Sequence, residues 1–540
     1  MLGYFGKGKK VADIYHDSSK KRWKGLLFLY RCFIICLLIL QLLLIIYTLA
    51  GSRTISAVAR AMQSVLSLGV CIYIIAKKDK GAFKLTWVFL IMLFPVVGGP
   101  FYIIFNFQLD TRRFSQKTAK TEAKARQFLL QQNNAYKKAA ILAPQHFNQI
   151  RYLQDFAGFA VYEDCQTKYF NLGETFLEKF LIELEKAEKY IFLEYFIVQE
   201  GLMWDKILTI LKKKINEGVK VRLMYDDIGS FLLLPKDFPS KMVKLGIECY
   251  KFNPFRPFLT AKQNNRDHRK IAVIDGKVAF TGGINLADEY INAIEKHGHW
   301  KDSAVMIKGK AAWSFTLMFL QMWELCSGKN EDYKQFSPWV LDSIQEERQQ
   351  NEFSTESSVT GFVQPYADSP MDRENVGEHV YLQIINGAKD YVYITTPYLI
   401  VDDSVLSALC LAAKSGVDVR IITPYKWDKR LVHMTTRSYY RELVNSGVKV
   451  YEYTKGFIHS KTFVSDDVVA TVGTTNLDFR SLYLHFECGL WMYKTSAVME
   501  VKSDFLDTLN VCTPITKEDC KYNLVTRSIQ DALRIFAPLM

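Results

Sequence analysis

The stretch His268-Arg-Lys-Ile-Ala-Val-Ile-Asp275 recurs later in the chain as His459-Ser-Lys-Thr-Phe-Val-Ser-Asp466. Each copy continues to an asparagine, Asn285 or Asn476, so that both read His-x-Lys-x4-Asp-x6-Gly-[Gly/Thr]-x-Asn. In both copies the asparagine follows the histidine by 17 residues. Because both the residue types and the distances between them are repeated, the sequence indicates two related halves. Their histidine, lysine and asparagine residues are expected to act together.

The local pattern of the repeat predicts how these side chains are presented. A histidine and a lysine two positions apart on a strand point to the same face of a sheet. The apolar residues that follow, 271–274 and 463–464, predict buried strands, and Asp275-Gly276 and Asp466-Asp467 predict tight turns into a second strand. Two such hairpins facing each other would form a doubled cationic cradle for a phosphate group.

The resemblance between the halves extends beyond the hairpins. Strand-like segments 187–198 and 218–222 of the first half correspond to segments 388–399 and 416–420 of the second. Helical patterns at 176–185 and 405–414 lie beside them. The chain therefore predicts one α/β domain that is used twice.

These residues resemble the phospholipase D superfamily, and more closely its bacterial cardiolipin synthases. The likeness is carried by residues 265–290, by Tyr225-Asp-Asp-Ile-Gly-Ser230 and by Asn476-Leu-Asp-Phe-Arg-Ser481. It implies two phospholipase D-like α-β-α sandwich halves, related by a pseudo-twofold axis and preceded by N-terminal transmembrane helices. The chain departs from the usual subfamily pattern at Thr474, where serine is usual, and at His485, where asparagine is usual.

The chain divides into five expected segments. They are a membrane anchor (1–108), a connector (109–150), a first phospholipase D-like domain (151–344), a polar linker (345–358) and a second phospholipase D-like domain (359–540). At 540 residues the chain is long enough for this arrangement.

The net charge of +13 is concentrated at the N-terminus. Residues 1–126 contain 20 Lys and Arg against 5 Asp and Glu, whereas the remainder contains 49 against 51. A nearly neutral repeated part argues against a nucleic-acid partner, since binding to nucleic acid depends on a basic surface. The basic N-terminal part instead favours anionic membrane lipid.

Three apolar segments precede the repeat. Residues 26–50 predict a transmembrane helix, 58–76 a second and weaker one, and 83–107 a third segment that is interrupted at 95–100 by Pro-Val-Val-Gly-Gly-Pro. Basic residues before the first segment and after the third favour a cytoplasmic location for both, which would make the third segment re-entrant. A third segment that spans the membrane is the alternative. We expect a multi-pass protein of the bacterial cell membrane with a cytoplasmic catalytic part.

The repeated residues supply the groups that cleave a phosphodiester. This reaction needs a nucleophile, an acid for the leaving alkoxide and positive charge for the other oxygens. His268 and His459 provide the first two, and Lys270 and Lys461 the third. Since the sequence has neither an ordinary zinc-ligand spacing nor a phosphate-binding Gly-x4-Gly-Lys-[Ser/Thr] loop, we expect no metal and no cofactor.

The resemblance assigns further roles. It implies that His268 is the nucleophile and His459 the acid, and that acids 34 and 28 residues later, Asp302 and Glu487, orient their histidines. The alternative for these two acids is a solvated surface position. The motif aspartates, Asp275 and Asp466, belong to the catalytic set, although their strand-end positions favour a structural role at the interface between the halves. The expected substrate-binding residues are Asn285, Asn476, Gly283 and Thr474.

The resemblance implies a phosphatidyltransferase that makes cardiolipin and glycerol from two phosphatidylglycerol molecules through a phosphatidyl-histidine intermediate. Its partners would be phosphatidylglycerol, cardiolipin and anionic membrane lipid; the sequence indicates no oligomeric state. Alternatives are a hydrolase of the phospholipase D type, another phosphatidyltransferase such as a phosphatidylserine synthase, and a membrane scaffold that only binds anionic lipid.

Overall fold

The computed structural model describes residue 39 and residues 53–94, 98–106, 109–130, 132–255, 261–339, 361–372 and 374–540. The predicted linker (345–358) and, except for Ile39, the first predicted transmembrane segment (26–50) lie outside the described residues. None of the helices in the described part of the chain combines the length and the apolar character needed to cross a membrane.

Within the described residues from Arg53 onward, six α-helices precede the repeated halves. They are α1 (Arg53–Ala76), α2 (Gly81–Leu93), α3 (Gly98–Asn106), α4 (Leu109–Arg126), α5 (Asn133–Leu142) and α6 (Phe147–Arg151). The third apolar segment contains two helices, α2 and α3, which are divided near the predicted interruption at 95–100. Lys80 at the start of α2 donates to Glu378 at 2.7 Å, and Thr86 donates to the carbonyl of Ile535 at 2.7 Å. These contacts fix α2 to the second half of the chain.

The first half is a seven-stranded sheet flanked by helices, with strand order β1-β9-β7-β6-β2-β3-β4. Its strands are β1 (Gln166–Phe170), β2 (Tyr190–Tyr195), β3 (Lys220–Asp226), β4 (Glu248–Phe252), β5 (Arg266–Asp267), β6 (Lys270–Ile274), β7 (Val278–Gly282), β8 (His299–Lys301) and β9 (Ala304–Lys308). Its helices are α7 (Gly173–Glu185), α8 (Leu202–Asn216), α9 (Asp227–Ser230), α10 (Phe238–Lys244) and α11 (Ala312–Ser327). Every residue of the central strand β2 is buried, as expected for a continuous apolar run covered on both faces.

The second half repeats this order as β10-β19-β17-β16-β11-β13-β14, with β20 added at the edge. Its strands are β10 (Phe362–Asp368), β11 (Tyr391–Thr395), β12 (Leu399–Ile400), β13 (Asp418–Pro424), β14 (Lys449–Tyr453), β15 (Gly456–Ile458), β16 (Thr462–Ser465), β17 (Val469–Gly473), β18 (Leu477–Asp478), β19 (His485–Tyr493) and β20 (Cys512–Pro514). Its helices are α12 (Val376–Gly387), α13 (Asp403–Lys414), α14 (Arg430–Asn445), α15 (Phe479–Tyr483), α16 (Ser496–Leu509) and α17 (Leu524–Phe536). The predicted α/β domain that is used twice is confirmed.

The hairpins of the repeat form as the sequence predicts. Strands β6 and β7 pair antiparallel, as do β16 and β17. The turn residues Asp275 and Gly276 have φ values of 53° and 66°, and Asp466 and Asp467 have 53° and 60°. Two consecutive positive φ values match the twist of adjoining strands in a two-residue hairpin, and Asp and Gly tolerate them.

Two short strand pairs join the halves. Strand β5 of the first half runs parallel to the start of β19, and β15 of the second half runs parallel to β8. In register, Arg266 faces His485 and Phe457 faces Trp300. Because β5 and β15 immediately precede the two motif histidines, these pairs place both motifs at the interface between the halves.

Candidate functional site

Each motif histidine follows a short strand that pairs with the opposite half, and it precedes the strand that belongs to the sheet of its own half. The backbone N–H of His268 donates to the carbonyl of Phe486 at 3.0 Å, and that of His459 donates to the carbonyl of Lys301 at 2.7 Å. Both histidines fall between short strands rather than within a continuous strand. The expectation that His and Lys project together from one strand is therefore corrected: the lysines alone begin or adjoin the sheet strands.

The acids that contact the histidines come from the opposite halves. Nδ1 of His268 lies 2.9 Å from Oε1 of Glu487, and Nδ1 of His459 lies 2.6 Å from Oδ2 of Asp302. Both carboxylates are fully buried, which excludes the solvated surface position. The expectation that each acid orients the histidine of its own half is wrong, because the cross-half strand pairs bring each histidine to the other half's acid.

The two lysines occupy the centre of the site. Nζ of Lys270 donates to the carbonyl of His268 at 2.5 Å, and Nζ of Lys461 donates to the carbonyl of His459. Both ammonium groups are buried, and desolvation lowers the pKa of Lys270 to about 8 and that of Lys461 to about 7. Two cations confined in a buried space create a strong preference for an anion.

The imidazoles are held neutral by their surroundings. Desolvation, followed by the charge of Lys461, lowers the pKa of His459 to about 4. Desolvation and the charge of Lys270 lower the pKa of His268 well below its usual value. Since the acids face the Nδ1 atoms, Nε2 of each ring remains for a reacting group.

Glu487 differs from an ordinary carboxylate. Burial raises its pKa to about 8, although the ammonium of Lys270 opposes the shift. The His268–Glu487 pair therefore retains one proton at neutral pH, and that proton is available for transfer through the imidazole.

The motif aspartates do not contact either histidine. The carboxylate of Asp275 accepts hydrogen bonds from the N–H groups of residues 188, 189 and 190, each at 2.8 Å. Asp466 does the same with residues 389, 390 and 391, at 2.8 to 3.0 Å. Each aspartate is bound within its own half, so the expectation of a position at the interface is wrong. Their contacts support the hairpin turns and the starts of β2 and β11, rather than the catalytic set.

Gly283 and Thr474 support the acids. A Cβ atom on Gly283 would lie 2.0 Å from Oδ1 of Asp302, so glycine is needed for this carboxylate to approach. The hydroxyl of Thr474 donates to Oε2 of Glu487 and accepts from the N–H of Cys488. The sequence predicts that both bind substrate, whereas the structure places them behind the histidine-orienting acids.

The two asparagines are buried and partly engaged. Asn285 accepts from the N–H of Ile197 at 2.9 Å and donates to the hydroxyl of Tyr290 at 2.7 Å. Nδ2 of Asn476 donates to Asp478 at 3.2 Å. Each Nδ2 keeps a second hydrogen, which leaves one donor for a phosphoryl oxygen.

Sequence reasoning missed the aromatic residues that surround the histidines. The ring of Trp300 lies 5.4 Å from that of His459, and the rings of Tyr290 and Phe457 lie 5.9 and 6.0 Å from it. The ring of Phe196 lies 4.9 Å from that of His268. The sequence places two of these aromatic residues near the motif. Phe457 precedes His459 by two residues, and Trp300 precedes Asp302 by two.

Three further side chains, Arg437, His299 and His297, take packing positions. Arg437 forms a bidentate pair with the buried Glu452 at 2.8 and 2.6 Å, and His299 contacts the hydroxyl of Tyr453 at 2.9 Å. The ring of His297 lies 6.1 Å from that of Phe457.

The fold gathers one group of potential metal ligands that spacing along the sequence does not reveal. Within the described residues, donor atoms of His268, His485 and Glu487 lie within 4.8 Å of one another. The charges of Lys270 and Arg480 act on the same imidazoles and oppose a divalent cation there. The residues present fit an anion better than a metal ion.

The chain matches two family models. Residues 180–323 and 381–509 match the model described as cardiolipin synthase, phospholipase D-like domain. Residues 65–105 match the model described as phospholipase D-nuclease N-terminal. Each part of the first match covers most strands of one sheet and leaves out β1 in the first half and β10 and β20 in the second.

Several proteins are similar to this chain over most of its length. An uncharacterized protein of Streptococcus mutans serotype c is 44% identical and covers 88% of this chain and 100% of its own. A cardiolipin synthase of Geobacillus sp. (strain WCH70) is 35% identical, and the match covers 85% of this chain and 89% of that protein. Cardiolipin synthase 2 of Bacillus anthracis is also 35% identical, and the match covers 84% of this chain and 86% of that protein. The crystal structure of a phosphatidylserine synthase from Haemophilus influenzae Rd KW20 has the same fold, with a TM-score of 0.54 at 15% identity over 72% of this chain and 97% of that chain.

Proposed function

Because this chain belongs to the cardiolipin synthase family of the phospholipase D superfamily, we propose that it joins two phosphatidylglycerol molecules into cardiolipin and releases glycerol at a membrane. The observation that carries the proposal is the buried site between the halves. Two histidines, each paired with a buried acid, share that site with two buried ammonium groups. The name of the relatives supports phosphatidylglycerol as the substrate.

The first step transfers the phosphatidyl group to the protein. Nε2 of one histidine attacks the phosphorus atom, and the bond from phosphorus to the glycerol oxygen breaks in line with the attack. The other histidine donates a proton to the departing glycerol oxygen. Lys270, Lys461 and the free amide hydrogens of Asn285 and Asn476 bind the remaining phosphoryl oxygens and stabilise the charge that develops on them.

The second step reverses the proton transfer. The histidine that lost its proton accepts one from a hydroxyl of the second phosphatidylglycerol, whose oxygen attacks the phosphorus atom. The phosphorus–nitrogen bond breaks and cardiolipin forms. One phosphodiester replaces another, so the exchange needs no energy source. A lipid acceptor held at the same surface has a high effective concentration and competes with water.

The test is turnover of the purified full chain with phosphatidylglycerol in mixed micelles. Cardiolipin should exceed phosphatidic acid, and the glycerol released should equal the sum of the two products, because transfer to lipid and transfer to water each release one glycerol. The variants His268→Ala and His459→Ala should each lose turnover, and the double variant should lose no more than either alone. The exposed Lys521→Gln variant serves as the matched control and should retain full activity.

Other products would identify the alternatives. Phosphatidic acid as the dominant product would make the protein a hydrolase, and phosphatidylserine formed with added serine would make it a phosphatidylserine synthase. Lipid binding without any product would leave a scaffold.

A further inference from the structure

The two halves repeat the catalytic groups but not the residues around them. Two residues before each histidine stand Arg266 and Phe457, and two residues before each acid stand His485 and Trp300. The cross-half strand pairs join these residues in register, Arg266 with His485 and Phe457 with Trp300. At these paired positions His459 therefore has an aromatic wall, whereas the wall beside His268 is formed by arginine and histidine, although the ring of Phe196 also lies 4.9 Å from that of His268.

A third pair of equivalent positions in the two halves differs in charge. Arg480 follows Asn476 by four residues, and Glu289 follows Asn285 by four. Glu289 binds Lys296 at 3.0 Å. The guanidinium of Arg480 has no hydrogen bond or ion pair with any residue that the structure describes, although the side chain is partly buried. The wall beside His268 thus carries a cation without a hydrogen-bonded counter-ion, and the acid whose charge acts on it, Asp478, already binds Asn476 and the N–H of Ser481.

His485 is the second group of this wall without a hydrogen bond, and its Nδ1 lies 3.9 Å from Oε1 of Glu487. Its ring is 10% exposed, neither ring nitrogen has a hydrogen-bond partner among the described residues, and its centre lies 5.5 Å from that of the His268 ring. Desolvation, then the charges of Arg480, Arg266, Lys270 and Lys429, lower its pKa well below the usual value. A buried imidazole that lacks a partner is costly unless a ligand supplies one.

Arg266 contributes less to this wall than its charge suggests. It forms a buried pair with Asp226 at 2.8 Å, and its guanidinium also donates to the carbonyl of Asn253. Lys429 is exposed and lies with its ammonium 5.4 Å from the ring of Tyr398. The groups of the wall without a hydrogen-bond partner among the described residues are therefore the guanidinium of Arg480 and the imidazole of His485, with Lys429 at its rim.

We propose that Arg480 and His485 form a second anion subsite, which binds the phosphate of the acceptor lipid while the phosphate of the donor lies between the two motif histidines. The proposal rests on the proposed function. A phosphatidylglycerol acceptor carries its own phosphodiester one glycerol away from the attacking hydroxyl. A planar guanidinium and an imidazole N–H are suitable donors to its oxygens.

The position of the subsite has a consequence for the histidines. An acceptor anchored beside His268 presents its hydroxyl to that histidine, so His268 is the base for the acceptor and the acid for the departing glycerol. In-line displacement then requires attack from the opposite side, by His459. The proton that the His268–Glu487 pair retains agrees with an acid at this position, since the raised pKa of Glu487 is about 8. This order is the reverse of the one that the resemblance implies.

The experiment compares two acceptors for one donor. A phosphatidyl ester of p-nitrophenol supplies the phosphatidyl group, and the acceptor is either phosphatidylglycerol or monoacylglycerol, which has hydroxyl groups but no phosphate. The measured quantity is the ratio of kcat/KM for the two acceptors. Arg480→Gln should lower this preference for phosphatidylglycerol by about tenfold or more, the loss expected for a hydrogen bond to a charged group.

Further variants test the chemistry of the wall. His485→Phe, which copies the aromatic wall, should lower the preference, whereas His485→Asn, which keeps a donor, should retain most of it. The exposed Lys521→Gln variant should keep the parent's ratio. Inorganic phosphate should raise the KM for phosphatidylglycerol in the parent more than in Arg480→Gln. Should Arg480→Gln fail to fold, the pair of His485 variants decides by itself.

Three results would overturn the subsite. An unchanged acceptor ratio in both Arg480→Gln and His485→Phe would exclude it. Equal inhibition of the parent and Arg480→Gln by phosphate would remove Arg480 from the phosphate contact. Weaker phosphate inhibition in Arg480→Gln with an unchanged lipid preference would show that the subsite takes free phosphate rather than the acceptor lipid. A parent that transfers nothing to phosphatidylglycerol would instead contradict the proposed function.

Discussion

Nδ1 of His459 lies 2.6 Å from Oδ2 of Asp302, although 157 residues separate them and they belong to different halves. The equivalent pair, His268 and Glu487, is crossed in the same way at 2.9 Å. Neither half therefore contains a complete pair of histidine and acid. The catalytic arrangement therefore exists only when the halves are packed together.

The crossed pairs predict which variants share a defect. Asp302→Asn removes the charge that orients His459 and should lower kcat by about 10²–10⁴-fold. The affected step should be the one that His459→Ala blocks, because the acid acts only through that ring. Rapid-mixing kinetics with the p-nitrophenyl donor separate p-nitrophenol release from transfer to the acceptor. Asp467→Asn, an exposed carboxylate, is the control; a defect of Asp302→Asn in the step governed by His268 would contradict the crossed pairing.

The acceptor subsite predicts the nucleophile. With the activated donor, p-nitrophenol leaves without an acid, so a variant that lacks only the acid–base histidine should accumulate covalent lipid. His268→Ala should accumulate phosphatidyl-protein, and His459→Ala should not. Mass spectrometry of the intact protein measures the adduct. The opposite pattern would establish the order that the resemblance implies, with His268 as nucleophile.

The lysines predict an alkaline loss of activity. The lowered pKa values of about 7 for Lys461 and about 8 for Lys270 mean that both ammonium groups lose their protons as pH rises through this range. Phosphate binding needs the charged forms, so kcat/KM, which reports the free enzyme, should fall above about pH 7. Protonation of His459, with a pKa of about 4, should limit activity only in strong acid.

Replacing one lysine by arginine checks this explanation. Lys461→Arg keeps its charge at every pH tested, so any activity it retains should decline only near the pKa of Lys270, about 8. An alkaline limb that stays at the parent's position in active Lys461→Arg would assign the titration to another group.

The motif aspartates predict a loss of stability rather than a loss of chemistry. Asp275→Asn keeps the tolerance for positive φ but weakens three charge-assisted hydrogen bonds, which should cost about 1–3 kcal/mol of unfolding free energy. Asp466→Asn should cost less, because two of the amide groups it binds are exposed. Thermal unfolding measures both, and activity per folded molecule should stay near the parent's. A large kcat loss with unchanged stability would return Asp275 to the catalytic set.

The location of the catalytic part can be tested at an exposed position. Lys521 has a side chain that is 74% exposed in the second half, so Lys521→Cys presents a reactive thiol without disturbing the core. We expect a membrane-impermeant maleimide to label it only after the cells are opened, because the repeated part should be cytoplasmic. The parent treated in the same way corrects for native cysteines. Labelling of the variant in intact cells would contradict a cytoplasmic location.

The sequence by itself determined the local structure of the repeat. Asp275-Gly276 and Asp466-Asp467 specify the hairpin turns through their tolerance of positive φ, and the apolar runs beside them specify buried strands. These features depend on neighbours along the chain, so spacing and residue type are sufficient. The repeat also identified the histidines and lysines that the fold brings together.

Only the tertiary structure decided how these groups are combined. The partners of His268 and His459 depend on two cross-half strand pairs of two and three residues, which carry no local signal of their own. The same pairs place His485 opposite Arg266 and Trp300 opposite Phe457, so the two histidines have unlike walls. Contacts between residues more than 150 positions apart are set by the packing of complete domains, because no local propensity links such residues before the halves meet.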